Sequence, residues 1–282
     1  MATTLSDKKP EASVSVSKEK FRSGIYECEL HDRGGDYLII SLSHKKNFAF
    51  YNYKWRYSVL FVCDPEDRYY CRSSDDLAKL VREYCITNGY KNVVFFGLSK
   101  GGSGALILSA LLAGLSQDIS VRAISFSGQL LLYPENQVLP FPTYKAMMRD
   151  ALSDEGLRGD LIKFGDITKL DYQRPNLHWV FVYGEKCEMD VREATRIVAP
   201  NVRKYPIPFG FHGSSIPFCI DRQDEKNIRS EVSVIFKNAS KEVDLKATLP
   251  SSEDDMADEI SAANWIPKLV DFVEGVLIQD FV

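Results

Sequence analysis

The run from Val93 to Leu108 constrains this chain more than any other stretch. An apolar strand, Val93-Val94-Phe95-Phe96, breaks into Gly97-Leu98-Ser99-Lys100-Gly101 and then into a small-residue helix, Gly102-Ser103-Gly104-Ala105-Leu106-Ile107-Leu108. So abrupt a turn from strand to helix needs glycines where the backbones approach, and it holds the apex residue in a strained conformation. The apex is Ser99. The helix behind it aims its N-terminal dipole and free N–H groups at any oxyanion formed there. Neither Gly-Xaa-Gly-Xaa-Xaa-Gly nor a Gly-Lys-Ser/Thr preceded at P-loop spacing is present, so a dinucleotide fingerprint and a P-loop are excluded. A phosphate- or ligand-binding turn of another kind is the competing reading.

The rest of the chain alternates strand and helix. Dense or alternating apolar runs predict strands at residues 24–30, 37–43, 57–63, 121–127, 177–183 and 202–206, with a turn at 32–36 around Gly34-Gly35. Ser74 is read as the cap of a helix over 75–88, in which Leu77, Leu80, Val81 and Tyr84 recur at helical spacing and after which Gly89 is the stop. Such alternation means a mostly parallel sheet with right-handed crossovers and helices on both faces. Two segments interrupt it. Residues 130–176, with Pro134, Pro140 and Pro142 and predicted helices at 144–152 and 156–164, have the length of a functional lid. Residues 221–258 are charged, with a strand-like Val232-Ser233-Val234-Ile235-Phe236 that suggests a hairpin or an excursion. One amphipathic helix over 261–277 closes the chain, with Ile266, Leu269, Val270 and Val273 on one face.

Composition sets the outer limits. A chain of 282 residues, 45% apolar with net charge −4, can bury a large core without disulfide or metal staples. Basic and acidic residues are interspersed, so a nucleic-acid partner is not expected, and no segment reaches the roughly 20 apolar residues of a membrane span. The six cysteines form no Cys-Xaa-Xaa-Cys pair and read as reduced core residues. Residues 1–22, with Lys8, Lys9, Lys18 and Lys20 among Ser, Thr and Val, lack the apolar stretch of a signal peptide. The expectation is a disordered tail over 1–22, one domain over 23–282 and a cytoplasmic location.

From about Gly24 to Val282 these features resemble the α/β-hydrolase fold: three layers, a mostly parallel sheet with helices on both faces, and a lid insertion. The resemblance implies the chain order nucleophile, acid, histidine. Of the four histidines, His31 and His178 fall at the amino edge of the predicted parallel strands, whereas ligands bind at the carboxyl edge. Both read as structural. His212, in Phe209-Gly210-Phe211-His212-Gly213-Ser214 after the last strand, is the candidate general base. His44 is its rival, at the carboxyl end of the 37–43 strand, and reads rather as a wall of the site.

The acid belongs after the 177–183 strand, where Glu185, Glu188 and Asp190 stand together. The family's commonest pattern has an Asp three residues after the Gly, and that position is Cys187. Asp190 is favoured and Glu188 is second, while helix capping by Asp190 is the structural alternative. The resemblance also implies an oxyanion hole, with one N–H from Lys100 and a second from the loop Ser43 to Asn47, with Ser43 and His44 as its named candidates and the particular N–H left open. The Lys100 ammonium is expected in solvent, with favouring an anionic substrate as its alternative role. Tyr51 and Tyr133 are candidate substrate-binding residues, each weighed against simple core packing.

The wording Phe96-Gly97-Leu98-Ser99-Lys100-Gly101-Gly102-Ser103-Gly104-Ala105-Leu106, with Glu188-Met189-Asp190 and the Phe-His-Gly loop, is similar to that of bacterial proteins linked to capsular polysaccharide biosynthesis and to accessory secretion of glycosylated adhesins. This implies an acyl-ester step on a carbohydrate or small-molecule ester, by hydrolysis or transfer through an acyl-Ser99 intermediate. No cofactor is implied, and histidines this few and this spaced do not suggest a metal site. The alternative is a non-catalytic hydrolase-fold scaffold in a glycan-assembly or secretion complex. Either reading leaves room for a homo-oligomer or a protein complex.

Overall fold

The structure, a computed structural model, describes residues 16–221, 225–246 and 248–279. Residues 1–15 of the predicted tail lie outside the described residues. The strands are β1 (Ser17–Ser23), β2 (Tyr26–Asp32), β3 (Tyr37–Leu42), β4 (Ser58–Cys63), β5 (Asn92–Leu98), β6 (Ser120–Phe126), β7 (Leu177–Gly184) and β8 (Val202–Ile207). The helices are α1 (Ser74–Asn88), α2 (Lys100–Leu115), α3 (Pro142–Asp150), α4 (Glu155–Phe164), α5 (Glu188–Thr195), α6 (Ile216–Cys219), α7 (Glu225–Ala239), α8 (Val243–Lys246), α9 (Glu253–Ala262) and α10 (Leu269–Ile278).

All eight strands form one sheet in the order β1-β2-β4-β3-β5-β6-β7-β8. The β1–β2 and β2–β4 pairs are antiparallel and every other pair is parallel. With helices on both faces, this is the α/β-hydrolase fold. Strand β5 shows why its sequence is apolar without interruption: Val93 and Phe95 enter one core and Val94 and Phe96 the other. Helices α1 and α2 bury Leu77, Val81, Leu106 and Ile107 in the first core, and α9 and α10 bury Met256, Ile260, Leu269 and Val273 in the second. The lid segment is anchored rather than free, because α3 and α4 sink Tyr144, Met147, Leu157 and Leu161 into the first core.

Four sequence readings are corrected. Residues 17–22 of the expected tail, with Ser23, form β1 and so belong to the sheet, as an edge strand whose charged, mostly exposed residues carry no burial signal. Val232–Phe236 lies within helix α7 and is not a strand. Its apparent alternation hides a helical stripe: Ile228, Val232 and Ile235 face the second core or its border, Ala239 further along is buried too, and Val234 is exposed. The single C-terminal helix is two, α9 and α10, interrupted before Pro267, whose ring disfavours helical backbone at Ile266. Ser74 is not the cap of α1. Ser73 holds that position, and the Ser74 hydroxyl donates backward to the Tyr70 and Cys71 carbonyls. All six cysteines are free thiols, five of them buried.

Candidate active site

The carboxyl edge of the sheet gathers the polar groups. Ser43 and His44 follow the end of β3, Ser99 that of β5, and Ser127 that of β6. Strand β7 leads to α5 with Asp190, and β8 to the loop with His212. Ser99 sits at φ 53°, ψ −115°, the strained apex that the sequence predicts. The glycines explain how it fits. A Cβ on Gly97 would lie 2.4 Å from the Gly101 carbonyl carbon, and one on Gly101 would lie 2.2 Å from the Leu42 oxygen. Both clashes are with backbone, which cannot swing away. Gly101→Ala is therefore expected to lower stability by about 3 kcal/mol or more, at the upper end of overpacking costs, read as a fall in the urea midpoint.

Ser99 Oγ lies 2.9 Å from His212 Nε2, and His212 Nδ1 lies 2.7 Å from Asp190 Oδ1. All three side chains are buried. Asp190 is inside the first turn of α5, whose cap is Cys187, so Asp190 does not cap the helix. Its second oxygen accepts from the Ser127 hydroxyl and, at 3.3 Å, from the Gly184 N–H. Glu188, the second candidate, is exposed and pairs with Arg192. The Phe141 ring, ahead of α3, lies 5.0 Å from the imidazole and shields it.

The sequence reading missed Ser127 and Gln129. Ser127 stands at φ 50° and bridges Asp190 to the Ser214 hydroxyl. The Gln129 Nε2 donates to the Ser127 carbonyl at 2.9 Å and lies 3.5 Å from Ser99 Oγ and 3.3 Å from His212 Nε2. The one available signal was position, since both follow the strand beside the Ser99 strand.

The oxyanion expectations divide. The Lys100 N–H is the first of α2, where no intrahelical partner exists. The Ser43 N–H is already donated to the Val62 oxygen at 2.9 Å, so Ser43 cannot supply the second donor. The Lys45 N–H is donated to the Ser43 hydroxyl at 3.1 Å, and no hydrogen bond among the described residues occupies the His44 N–H, so of the two named residues His44 is the one with a free amide. The Lys100 ammonium is not in solvent: it is buried 3.0 Å from Asp67 and 3.1 Å from Asp244. Asp244 is held in turn by the Thr143 N–H and hydroxyl, and Glu242 pairs with Lys45. The charged insertion thus straps across the Ser99 side of the site.

Neither tyrosine candidate is at the site. Tyr51 donates to Glu29 and packs on His31 and Phe61, and Tyr133 packs against the first core with its N–H on the Gly165 oxygen. His31 pairs with Val59 at the start of β4 and His178 is the second residue of β7, so both lie at the amino edge as expected.

Burial, with the charges of Lys45, Lys100 and His212, pushes the His44 imidazole down to about 3. The unfolded chain takes up this proton near pH ~6.5, before the folded one does. This group's contribution to stability is therefore full above about pH 6.5 and is lost as pH falls toward about 3. Urea unfolding of His44→Gln between these limits is expected to show a shallower pH dependence, by up to about one proton.

No family model matches the chain, and no curated protein matches it. Among solved structures it is similar to an esterase from Pyrobaculum calidifontis, with 11% identity, TM-score 0.46, 88% of this chain and 85% of that one covered. It is also similar to the capsule O-acetyltransferase of Neisseria meningitidis serogroup A, with 13% identity, TM-score 0.42 and coverage of 78% and 94%. An N-acyl homoserine lactonase gives 13%, 0.42, 81% and 98%. Likeness at this level carries nothing about substrate. Among the described residues, no helix is long and apolar enough to cross a membrane.

Proposed function

We propose that this chain is a serine-dependent acyl-ester hydrolase or acyltransferase that works through an acyl-Ser99 intermediate, on an O-acylated carbohydrate of glycan biosynthesis in the cytoplasm. The observation that carries the reading is the buried hydrogen-bonded line Ser99–His212–Asp190 at the carboxyl edge of the sheet. His212 Nε2 takes the Ser99 proton as Oγ attacks the ester carbonyl. Asp190 holds Nδ1–H and stabilises the imidazolium. The Lys100 and His44 N–H groups receive the developing oxyanion. His212 then gives its proton to the departing alkoxide. Water or a second hydroxyl, deprotonated by His212, attacks the acyl carbon and releases Ser99. The Phe141 cover limits water at the imidazole, which favours transfer where a sugar hydroxyl is bound.

Against a purely structural scaffold stands the strain at Ser99, which a scaffold has no use for. The test is reaction with a fluorophosphonate followed by intact mass. One adduct on the wild type, absent from Ser99→Ala and strongly slowed in His212→Ala, is the expected result. A folded wild type that never labels sinks the enzyme reading.

A further inference from the structure

Two chambers open beside the Ser99–His212 pair, and they differ in kind. The one at Ser99, about 200 Å³, is charged, with Lys45, Lys46, Lys100, Asp67, Glu242 and Asp244 in its wall. The one at His212, about 270 Å³, is apolar and walled by Phe50, Leu98, Phe211, Ile216, Ile235 and Leu249. His44, Lys45 and Glu242 line both and form the partition. The His44 Nδ1 is buried there without a partner among the described residues, as a polar group awaiting a ligand atom would be. The floor of the apolar chamber is Leu98, next to the nucleophile, and part of its wall is supplied by Ile235 of α7 and by Leu249 beyond α8.

An ester carbonyl held at Ser99 has two substituents, the acyl chain and the alcohol, and they leave the reacting carbon in different directions. Two unlike chambers therefore call for two unlike arms. We infer that the substrate is an amphiphilic ester: one arm is an apolar chain of several carbons seated in the chamber beside His212, and the other bears polar or ionic groups that face the mixed ionic wall of the chamber at Ser99, its lysines and its carboxylates alike. The inference rests on the acyl-ester reading above and refines it. A sugar carrying a single acetyl group would leave the apolar chamber empty, with its lining deprived of contacts. At about 30 Å³ for a water-sized group, the chamber accepts a chain of roughly eight carbons. Whether that chain is the acid or the alcohol is settled by the two arms of the test.

One arm measures kcat/KM on p-nitrophenyl esters from acetyl to decanoyl, and the other on n-alkyl acetates from ethyl to decyl. Alongside them, calorimetry follows the binding of methyl alkyl ketones of rising length to Ser99→Ala. One ester series is expected to climb about fourfold per methylene and to level off near about eight carbons. Ketone affinity should climb in parallel. Ala239→Phe and Leu249→Trp, which project into the chamber, should flatten the rise. The readout is the long-chain to short-chain ratio within each variant, so a loss of folded enzyme cancels. Flat profiles in both ester series together with chain-independent ketone binding overturn the inference, as does a rise that neither substitution touches. Ketone affinity that climbs while no ester turns over keeps the chamber as a binding site and sinks the ester reading instead.

Discussion

Ser99→Ala is expected to lower kcat by about 10⁵- to 10⁶-fold, the scale on which loss of a nucleophile removes the whole serine–histidine–acid unit. Ser99→Gly should lose as much, because neither side chain can form the acyl bond. The two should part in stability. At φ 53°, ψ −115°, a residue with a Cβ is strained, and alanine retains that Cβ. Strain of this kind costs about 1–3 kcal/mol, and glycine relieves it. Ser99→Gly should therefore melt above both Ser99→Ala and the wild type, by thermal and urea unfolding, while remaining equally inactive. Equal melting of the two variants would mean that the turn is relaxed and that the strain is not what holds Oγ toward His212.

How much of this was legible in the sequence follows from how each group is held. The strands of the sheet centre were readable because both faces are buried, which forces unbroken apolar runs such as Val93 to Phe96. Ser99 was readable because its geometry demands Gly97 and Gly101 at fixed spacing, and His212 because few histidines follow the last strand. Asp190 could be favoured but not fixed, since chain order names a loop and not a carboxylate; only the fold sends Glu188 to Arg192 and Asp190 to the imidazole.

Other groups left no local trace. Whether Tyr51 faces the site or the outer sheet depends on the path of its loop, which puts it on Glu29 and Phe61. The burial of the Lys100 ammonium needs Asp67 and Asp244, which lie far from it and from each other in sequence. Ser127 and Gln129 are ordinary polar residues until strand β6 is placed beside β5. Helix α7 was misread because five residues of a helical stripe can mimic alternation; the full length of the stripe, Ile228 to Ala239, shows the longer period.

Asp190→Asn is expected to cost about four orders of magnitude in kcat while the protein stays folded. The reason lies on the far side of the carboxylate from His212. Asp190 Oδ2 accepts from the Gly184 N–H and from the Ser127 hydroxyl, and the backbone donor cannot be turned around. The asparagine oxygen must therefore face Gly184, which turns its NH₂ toward His212 Nδ1. An NH₂ there can only donate, so Nδ1 becomes the acceptor and the ring carries its proton on Nε2. A protonated Nε2 cannot take the Ser99 proton, though the 2.9 Å spacing is unchanged. Fluorophosphonate labelling should slow with turnover, because both need the same proton transfer. A variant that retained turnover within tenfold of wild type would show that His212 keeps its tautomer without Asp190, and the role of orienting acid would then have to pass to another group at this edge.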